Sequence, residues 1–136
     1  MSRTTIFRVD VQWGDCDPAD IVFFPNFQRW IDAASLDFFH QCGLPRWREL
    51  EATRGIIGTP MLEINTRFYK SATYGDHLEV HTTIERWDRK VFVQYHRVVR
   101  DKTLLCDGRA TRAFVQRVDG RLQAMEIPAD IKAMCS

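Results

Sequence analysis

Three aspartates lie close together in one short segment of the sequence. Asp15, Asp17 and Asp20 surround Pro18, between a strand-like stretch and the strongest helix pattern of the chain. A carboxylate in such a loop can point into a cleft beside the free N–H groups and partial positive charge of the helix N-terminus. It can attack an activated carbonyl or activate a water molecule, while the helix amides stabilise the developing oxyanion. Acidic residues are also common in turns and caps, so the spacing alone leaves both interpretations open.

The flanking sequence predicts the elements that must position this loop. Phe7, Val9, Val11 and Trp13 alternate with polar residues, which indicates a half-buried strand. Over Pro25–Gln41, apolar residues recur at spacings of three and four, which predicts a helix with one buried face. The residues of that face are Phe27, Trp30, Ile31, Ala34 and Phe38.

The rest of the chain predicts a second, shorter helix over residues 45–53 and then mainly β-structure. The predicted strands span residues 56–69, 77–87, 91–100, 104–118 and 121–127, and a last short helix starts near Pro128. This order predicts an α+β fold in which an antiparallel sheet curves around one long helix. Because strand 91–99 has apolar residues on both faces, we expect a second copy of the chain to cover the remaining face or the sheet edges.

Composition excludes several classes of protein. The chain has 136 residues and a formal net charge of +1, which suit one domain over residues 1–136 and give no basic excess for nucleic acid. Its four cysteines are widely spaced, so we expect free thiols in a reducing cytoplasm and neither a zinc site nor a disulfide framework. The sequence contains no long apolar run, so we expect neither a membrane span nor a signal peptide.

Longer segments of the chain resemble the 4-hydroxybenzoyl-CoA thioesterases and, more loosely, the wider group of acyl-CoA thioesterases with the hotdog fold. The similar segments are GDCDPA (14–19), IV (21–22), FPNF (24–27), RWIDAA (29–34), CGLP (42–45), WR (47–48), GTP (58–60), FVQ (92–94) and EIPAD (126–130). The resemblance covers essentially the whole chain, and it implies a hotdog fold, with an antiparallel sheet wrapped around a central helix.

The resemblance also implies roles for two groups in the reaction. Asp17 corresponds to the catalytic carboxylate, acting either as a nucleophile through a mixed anhydride or as a general base toward water. The backbone amide near Phe24, which opens the long helix, would polarise the thioester carbonyl. Without the resemblance, both residues fit ordinary turn and core positions.

Four further residues receive binding roles from the resemblance. Asp32 matches the position that reaches the ring hydroxyl of a 4-hydroxybenzoyl group, although its place off the apolar helix face also suits a solvated residue. Thr59 belongs to the segment that lines the active site from the neighbouring subunit, or is simply a residue at a strand end. Arg89 and Lys90 match a basic cluster that holds the phosphates of the CoA nucleotide, but charged residues are also normal in a hairpin.

Two positions depart from the family pattern. Asp20 stands where glycine is common, and aspartate tolerates left-handed backbone angles better than most residues do. Asp88 stands where a third basic residue often extends the phosphate cluster, so nucleotide binding is expected to be weaker or to use another arginine such as Arg86. Neither departure removes the proposed catalytic group.

The expected function is therefore hydrolysis of an aromatic acyl-CoA such as 4-hydroxybenzoyl-CoA, with CoA as part of the substrate and no metal or other cofactor. The expected assembly is a homodimer or a dimer of dimers. A thioesterase for short or medium aliphatic acyl-CoA or for acyl carrier protein thioesters is the alternative, as is a non-catalytic acyl-CoA-binding protein.

His81 and His96 are expected to be sheet residues. A further set of aromatic residues is expected in the core, with some also lining an aryl pocket: Trp13, Phe23, Phe24, Phe27 and Trp30.

Overall fold

The computed structural model describes residues 3–136 and contains two antiparallel sheets. The larger sheet has the order β1-β4-β5-β6-β3, with β1 (Thr4–Asp10), β3 (Met61–Phe68), β4 (His77–Trp87), β5 (Val91–Arg100) and β6 (Thr103–Ala113). The smaller sheet has the order β2-β7-β8, with β2 (Ile56–Gly58), β7 (Val115–Val118) and β8 (Arg121–Ala124). Every strand pair is antiparallel, so the predicted α+β class is confirmed.

The long helix α1 (Pro25–Gln41) lies against strands β1, β4 and β5 of the larger sheet. Its bounds are those predicted from the apolar spacing, and all five residues of the predicted face are buried. Two shorter helices follow, α2 (Trp47–Arg54) and α3 (Ala129–Met134). Helix α2 ends at Arg54 and is capped by Gly55, whose positive φ of 71° suits a residue without a Cβ atom.

Side chains between helix and sheet form two hydrophobic clusters. One cluster, which includes Phe27, Trp30 and Val80, packs beneath the N-terminal half of α1. The other is rich in aromatic rings that meet edge to face, among them Phe39 and Phe92. The catalytic loop predicted from the sequence therefore adjoins a helix end that is fixed by a buried core.

Four predicted strands have different limits in the structure. The predicted strand 56–69 is divided into β2 and β3, and the predicted strand 121–127 ends at Ala124. The predicted strand 104–118 is broken at Phe114, where the chain passes from the larger sheet to the smaller one. Phe114 is fully buried in the aromatic cluster, and no glycine or proline marks the break in the sequence. The first strand ends at Asp10 rather than reaching Trp13, because the chain turns at Trp13–Asp15 with the Asp15 carboxylate accepting a hydrogen bond from the Gln12 N–H (2.9 Å).

The sheet face opposite α1 carries a network of polar and aromatic groups. The hydroxyl groups of Tyr69 and Tyr95 both donate to the Asp107 carboxylate, at 3.0 and 2.9 Å. The guanidinium of Arg109 lies 4.6 Å from the centre of the Tyr95 ring and is paired with Glu85. Apolar and aromatic residues therefore occur on both faces of the sheet, as the sequence indicated.

Within residues 3–136 no helix has the length and apolar character needed to cross a membrane. All four cysteines are free thiols, and three of them are buried. The expectation of free thiols is confirmed.

Candidate functional site

The segment after β1 folds into a narrow loop, residues 15–23, called here the Asp17 loop. Its two arms are joined by hydrogen bonds from Phe23 N–H to the Asp15 carbonyl and from Asp17 N–H to the Ile21 carbonyl, both 2.9 Å. Asp20 N–H closes the tip by donating to the Asp17 carbonyl (2.9 Å). Main-chain hydrogen bonds therefore fix the position of each aspartate in the loop.

Asp15 has a structural role. Its carboxylate accepts from Gln12 N–H (2.9 Å) and from the Arg29 guanidinium (3.0 Å), so both of its oxygens are occupied. Its carbonyl also accepts from the Asn26 side chain at 2.8 Å. Since Asn26 and Arg29 belong to α1, Asp15 joins the loop to the helix.

The carboxylate of Asp17 is less constrained and half-buried. Its Oδ1 accepts from Ala19 N–H at 2.8 Å, while its Oδ2 accepts no hydrogen bond from any residue in the range 3–136. One oxygen therefore orients the side chain, and the other is available to a substrate or a water molecule. This difference separates Asp17 from Asp15, which sequence spacing did not.

Asp20 completes the loop with a positive φ of 63°. Asp20 thus adopts the left-handed backbone angles that a glycine at this position would permit. The Thr73 hydroxyl donates to the Asp20 carbonyl (2.6 Å), which ties the loop tip to the segment before β4.

The N-terminus of α1 offers one amide beside this loop. Pro25 has no N–H, Asn26 N–H donates to the Phe23 carbonyl (2.9 Å), and Phe27 N–H donates to the Phe24 carbonyl (3.1 Å). The Phe24 N–H has no acceptor within the part of the chain that the structure describes. This amide, at the positive end of the helix dipole, is therefore free to bind a carbonyl oxygen.

The side chains around this amide are more exposed than expected. Phe27 and Trp30 are buried, but Trp13, Phe23 and Phe24 are exposed, at 75%, 52% and 58%. The prediction of a core position is therefore wrong for these three, because the loop and the helix N-terminus lie at the surface. The rings of Phe23 and Phe24 pack edge to face, with centroids 5.7 Å apart, and form an exposed apolar area where the Asp17 loop meets α1.

Asp32 and Thr59 meet at a second place, a cavity of about 400 Å³ that we call the Asp32 cavity. Its wall includes Asp32 and Ser35 of α1, Trp47 of α2, Thr59 between β2 and β3, and Arg112 of β6. Neither Asp17 nor Phe24 lines this cavity. A single chain therefore brings Asp32 and Thr59 together but keeps them apart from the proposed catalytic loop.

Arg112 is the residue of this cavity that sequence reasoning missed. Its Nη2 donates to Asp32 Oδ1 (2.6 Å) and its Nη1 donates to the Thr59 carbonyl (2.9 Å). Strand pairing places Arg112 on the helix-facing side of β6, in phase with Gly108 and Ala110. The sequence did contain a sign of this role. Arg112 alternates in step with small, helix-facing residues of its strand, and an arginine buried at such a position needs a charged or polar partner.

Further polar side chains lie buried beneath α1. The Ser35 hydroxyl donates to Gln94, and the Thr82 hydroxyl is hydrogen-bonded to His96 Nδ1 at 2.7 Å. Burial, with a smaller contribution from the positive charge of Arg112, lowers the pKa of His96 to about 3. His96 is therefore neutral at physiological pH. It lies in β5 and His81 in β4, which confirms the prediction that both are sheet residues.

Arg89 and Lys90 lie in the connection between β4 and β5, away from the wall of the Asp32 cavity. Arg89 is paired with Glu126 (2.9 Å), and Asp88 is paired with Arg86 (3.0 Å), all on exposed side chains. Asp88, which stands where the family often has a basic residue, thus pairs with Arg86. Arg86 is the arginine that was expected to take the place of that basic residue. Exposed pairs of this kind contribute little stability, so their arginines can exchange a carboxylate for a phosphate.

Within residues 3–136 no group of three or more histidine, cysteine, aspartate or glutamate side chains is arranged to hold a metal ion. The groups that this site can supply for a reaction are the Asp17 carboxylate, with one free oxygen, and the backbone N–H of Phe24.

Comparisons with known proteins identify the family of the chain. Residues 11–134 match the model of the thioesterase-like superfamily. The chain is 44% identical to a 4-hydroxybenzoyl-CoA thioesterase from Pseudomonas sp. (strain CBS-3), with 100% of both chains covered. A crystal structure of a D17N mutant of 4-hydroxybenzoyl-CoA thioesterase, complexed with 4-hydroxybenzoyl-CoA, superposes with a TM-score of 0.95 at 41% identity, covering 99% of this chain and 100% of that one. A gentisyl-coenzyme A thioesterase superposes with a TM-score of 0.82 at 27% identity, covering 96% and 98%. The expected hotdog fold is confirmed.

Proposed function

Because the chain belongs to the thioesterase-like superfamily and is an acyl-CoA thioesterase, we propose that its substrate is 4-hydroxybenzoyl-CoA or a closely related hydroxylated aryl-CoA. The observation that carries this proposal is the 44% identity over the full length of a 4-hydroxybenzoyl-CoA thioesterase. Other relatives are a gentisyl-coenzyme A thioesterase and a 1,4-dihydroxy-2-naphthoyl-CoA hydrolase. Each of these three acyl groups is aromatic and carries at least one ring hydroxyl group.

In the proposed reaction the thioester carbonyl lies between Asp17 and the N-terminus of α1. The free Phe24 N–H donates to the carbonyl oxygen and stabilises the negative charge that develops there. As a general base, Asp17 takes a proton from water, the hydroxide adds to the carbonyl carbon, and the C–S bond breaks. The CoA thiolate then takes the proton held by Asp17, which regenerates the carboxylate, and the aryl acid is released.

The same carboxylate has a second route open to it. Attack by Asp17 Oδ2 on the carbonyl carbon expels the CoA thiolate and leaves a mixed anhydride, which water then hydrolyses to the aryl acid and free Asp17. Both routes use the unoccupied oxygen of Asp17 and the same amide. Neither route requires a metal or other cofactor.

Recognition of the acyl group is assigned to the Asp32 cavity. Its volume of about 400 Å³ falls in the usual range for small-molecule sites and suits one aromatic ring. Asp32 Oδ1 is held by Arg112, and Oδ2 is left to accept a hydrogen bond from the ring hydroxyl. Thr59 lies in the same wall.

A complete site in this proposal needs two copies of the chain. Asp17 with Phe24, and Asp32 with Thr59, occupy separate places on one chain, and Leu62 and Phe68 of edge strand β3 are exposed. An unpaired edge with exposed apolar side chains favours association with another strand. We therefore assign Thr59, together with Asp32 of the same cavity, to the site of the neighbouring subunit, within a homodimer or a dimer of dimers.

The remaining assignments concern the nucleotide and the location. Arg89 and Lys90 bind the CoA phosphates, with Arg89 leaving Glu126 to do so. The four free thiols favour a reducing compartment, which we take to be the cytoplasm.

A hydrolysis screen over CoA thioesters tests the proposal. Thiol release from 4-hydroxybenzoyl-CoA, benzoyl-CoA, hexanoyl-CoA and an acyl carrier protein thioester is measured, and kcat/KM is compared, since specificity lies in that ratio. The highest value is expected for 4-hydroxybenzoyl-CoA. A higher value for an aliphatic thioester, or binding of every substrate without thiol release, contradicts the proposal.

A further inference from the structure

Arg112 connects two residues that are assigned to substrate binding. One nitrogen of its guanidinium donates to the Asp32 carboxylate (2.6 Å), and another donates to the Thr59 carbonyl (2.9 Å). Asp32 belongs to α1, Thr59 to the segment between β2 and β3, and Arg112 to β6. Three separate parts of the chain thus meet through a single side chain.

Burial differs strongly between the two charged partners. The Arg112 side chain is 7% exposed, whereas that of Asp32 is 67% exposed. A buried guanidinium needs a counter-charge, so Arg112 holds the Asp32 carboxylate in one orientation at the cavity wall. With Oδ1 on Arg112, Oδ2 is the atom left for a ligand.

We propose that Arg112 is a positioning residue for hydroxyl recognition: it sets the place and direction of Asp32 Oδ2 and holds Thr59 against the same cavity. This inference rests on the proposed function, in which that oxygen accepts a hydrogen bond from the ring hydroxyl. It makes the cavity selective for a group that donates a hydrogen bond, because a fixed carboxylate only accepts.

The planar fork of arginine is what this position uses. Two nitrogens with fixed relative geometry reach two acceptors at once, whereas the single ammonium group of lysine is a point charge on a flexible stem. Replacement by lysine therefore keeps the charge but loses the joint fixation of Asp32 and Thr59. Replacement by methionine loses both.

The test compares two substrates that differ only in the ring hydroxyl. For wild type, R112K and R112M, kcat/KM is measured with 4-hydroxybenzoyl-CoA and with benzoyl-CoA. The ratio of the two values should fall by roughly 10- to 100-fold in R112M, as expected for the loss of a charge-assisted hydrogen bond. In R112K the ratio should fall by a smaller factor, and in both variants activity toward benzoyl-CoA should fall by less than activity toward 4-hydroxybenzoyl-CoA.

The matched control is R109M. Arg109 lies on the same strand, faces the other side of the sheet and is paired with Glu85 (2.8 Å). Its replacement should leave the substrate ratio unchanged. A fall in R109M as large as that in R112M would overturn the assignment to Arg112.

A double variant tests whether Arg112 acts through Asp32. If it does, R112M should lower the ratio in the wild-type background and have no further effect on the ratio in D32A. Equal loss of activity toward both substrates, with an unchanged ratio, would show a purely structural role and overturn the inference. Should R112M fail to fold, an unchanged ratio in R112K overturns it equally.

Failure of the proposed function gives a different result. In that case the wild-type protein itself shows no preference for 4-hydroxybenzoyl-CoA over benzoyl-CoA. If wild type shows the preference and the Arg112 variants keep it, the proposed substrate stands and only the role of Arg112 is wrong.

Discussion

Asp17 and Asp32, the two carboxylates assigned to the substrate, are held in different ways. Asp17 lies in a loop fixed by main-chain hydrogen bonds, and its carboxylate accepts from one backbone amide, that of Ala19. Asp32 lies on a regular helix, and its carboxylate is paired with the buried guanidinium of Arg112. One carboxylate is oriented by a neutral donor and the other by a full positive charge.

The difference fits the proposed roles, in which Asp17 reacts and Asp32 binds. One oxygen of Asp32 is held by a charge-assisted hydrogen bond from a buried side chain, which suits a fixed acceptor for a hydroxyl group. Asp17 is held by one backbone N–H, which gives the carboxylate a defined direction and leaves its second oxygen for the reaction. The free amide of Phe24 lies at the helix end that the Asp17 loop enters, whereas Asp32 lies further along the same helix.

Loss of the loop anchor tests whether the position of Asp17 matters. D15A removes the partner of Arg29 and also the acceptor of the Gln12 N–H, which holds the turn that leads into the Asp17 loop. We expect kcat to fall by about 10- to 100-fold, because small displacements of a reacting group are costly.

The control for this variant is R29M. It removes only the ion pair, whose arginine is largely exposed, and should change kcat by less than about threefold. A D15A enzyme with wild-type kcat would show that the loop does not need this anchor.

Acid stability tests the buried polar groups on the cavity side of the molecule. The pKa of His96 is lowered to about 3 by burial and by the Arg112 charge. Below the unfolded-state value near 6.5 the unfolded chain binds a proton that the folded chain does not, so stability falls as pH falls. The expected loss is about 1.4 kcal/mol per pH unit between about pH 6 and pH 4.

The H96Q variant lacks this titration. Its free energy of unfolding, measured by urea denaturation, should depend less steeply on pH than that of wild type in the acid range. Above about pH 7.5 the two curves should run parallel, since His96 is then neutral in both states. Parallel curves down to pH 4 would rule out a depressed pKa at His96.

The smallest effect is expected at the tip of the Asp17 loop. Asp20 has a φ of 63°, so D20A forces alanine into left-handed angles and should lower the free energy of unfolding by about 1 kcal/mol. D20G should stay within about 0.5 kcal/mol of wild type, because glycine adopts these angles without strain. If D20A and D20G are equally stable in thermal unfolding, the loop tip does not need this backbone conformation.

Regular elements were predictable because their signals are local. Helix α1 and strands β4 and β5 have the predicted bounds, since apolar spacing and turn residues define them within a few residues. The break at Phe114 was not predictable, because it depends on packing with rings from distant parts of the chain. The exposure of Trp13, Phe23 and Phe24 was missed because aromatic side chains are buried more often than not, and nothing in the local sequence marks these three as exceptions.

The site was predictable only in part. Family resemblance pointed to Asp17 and Asp32, but it did not separate Asp15 from Asp17 in physical terms; their hydrogen bonds do. Arg112 is 80 residues from Asp32 in sequence, and their pairing depends on the register of β6 beneath α1. Such long-range contacts leave only an indirect trace in one sequence, here an arginine in the apolar phase of a strand.

The central claim is that Asp17 reacts and Asp32 binds, and single-turnover hydrolysis of 4-hydroxybenzoyl-CoA by D17N and D32N tests it most directly. In D17N the rate of the chemical step should fall by about 10²- to 10⁴-fold, with substrate binding retained, because the group that attacks or activates water is lost. In D32N the chemical step should fall by no more than about tenfold, with weaker substrate binding. A D17N rate within about tenfold of wild type, or a larger loss in D32N than in D17N, would contradict the assignment.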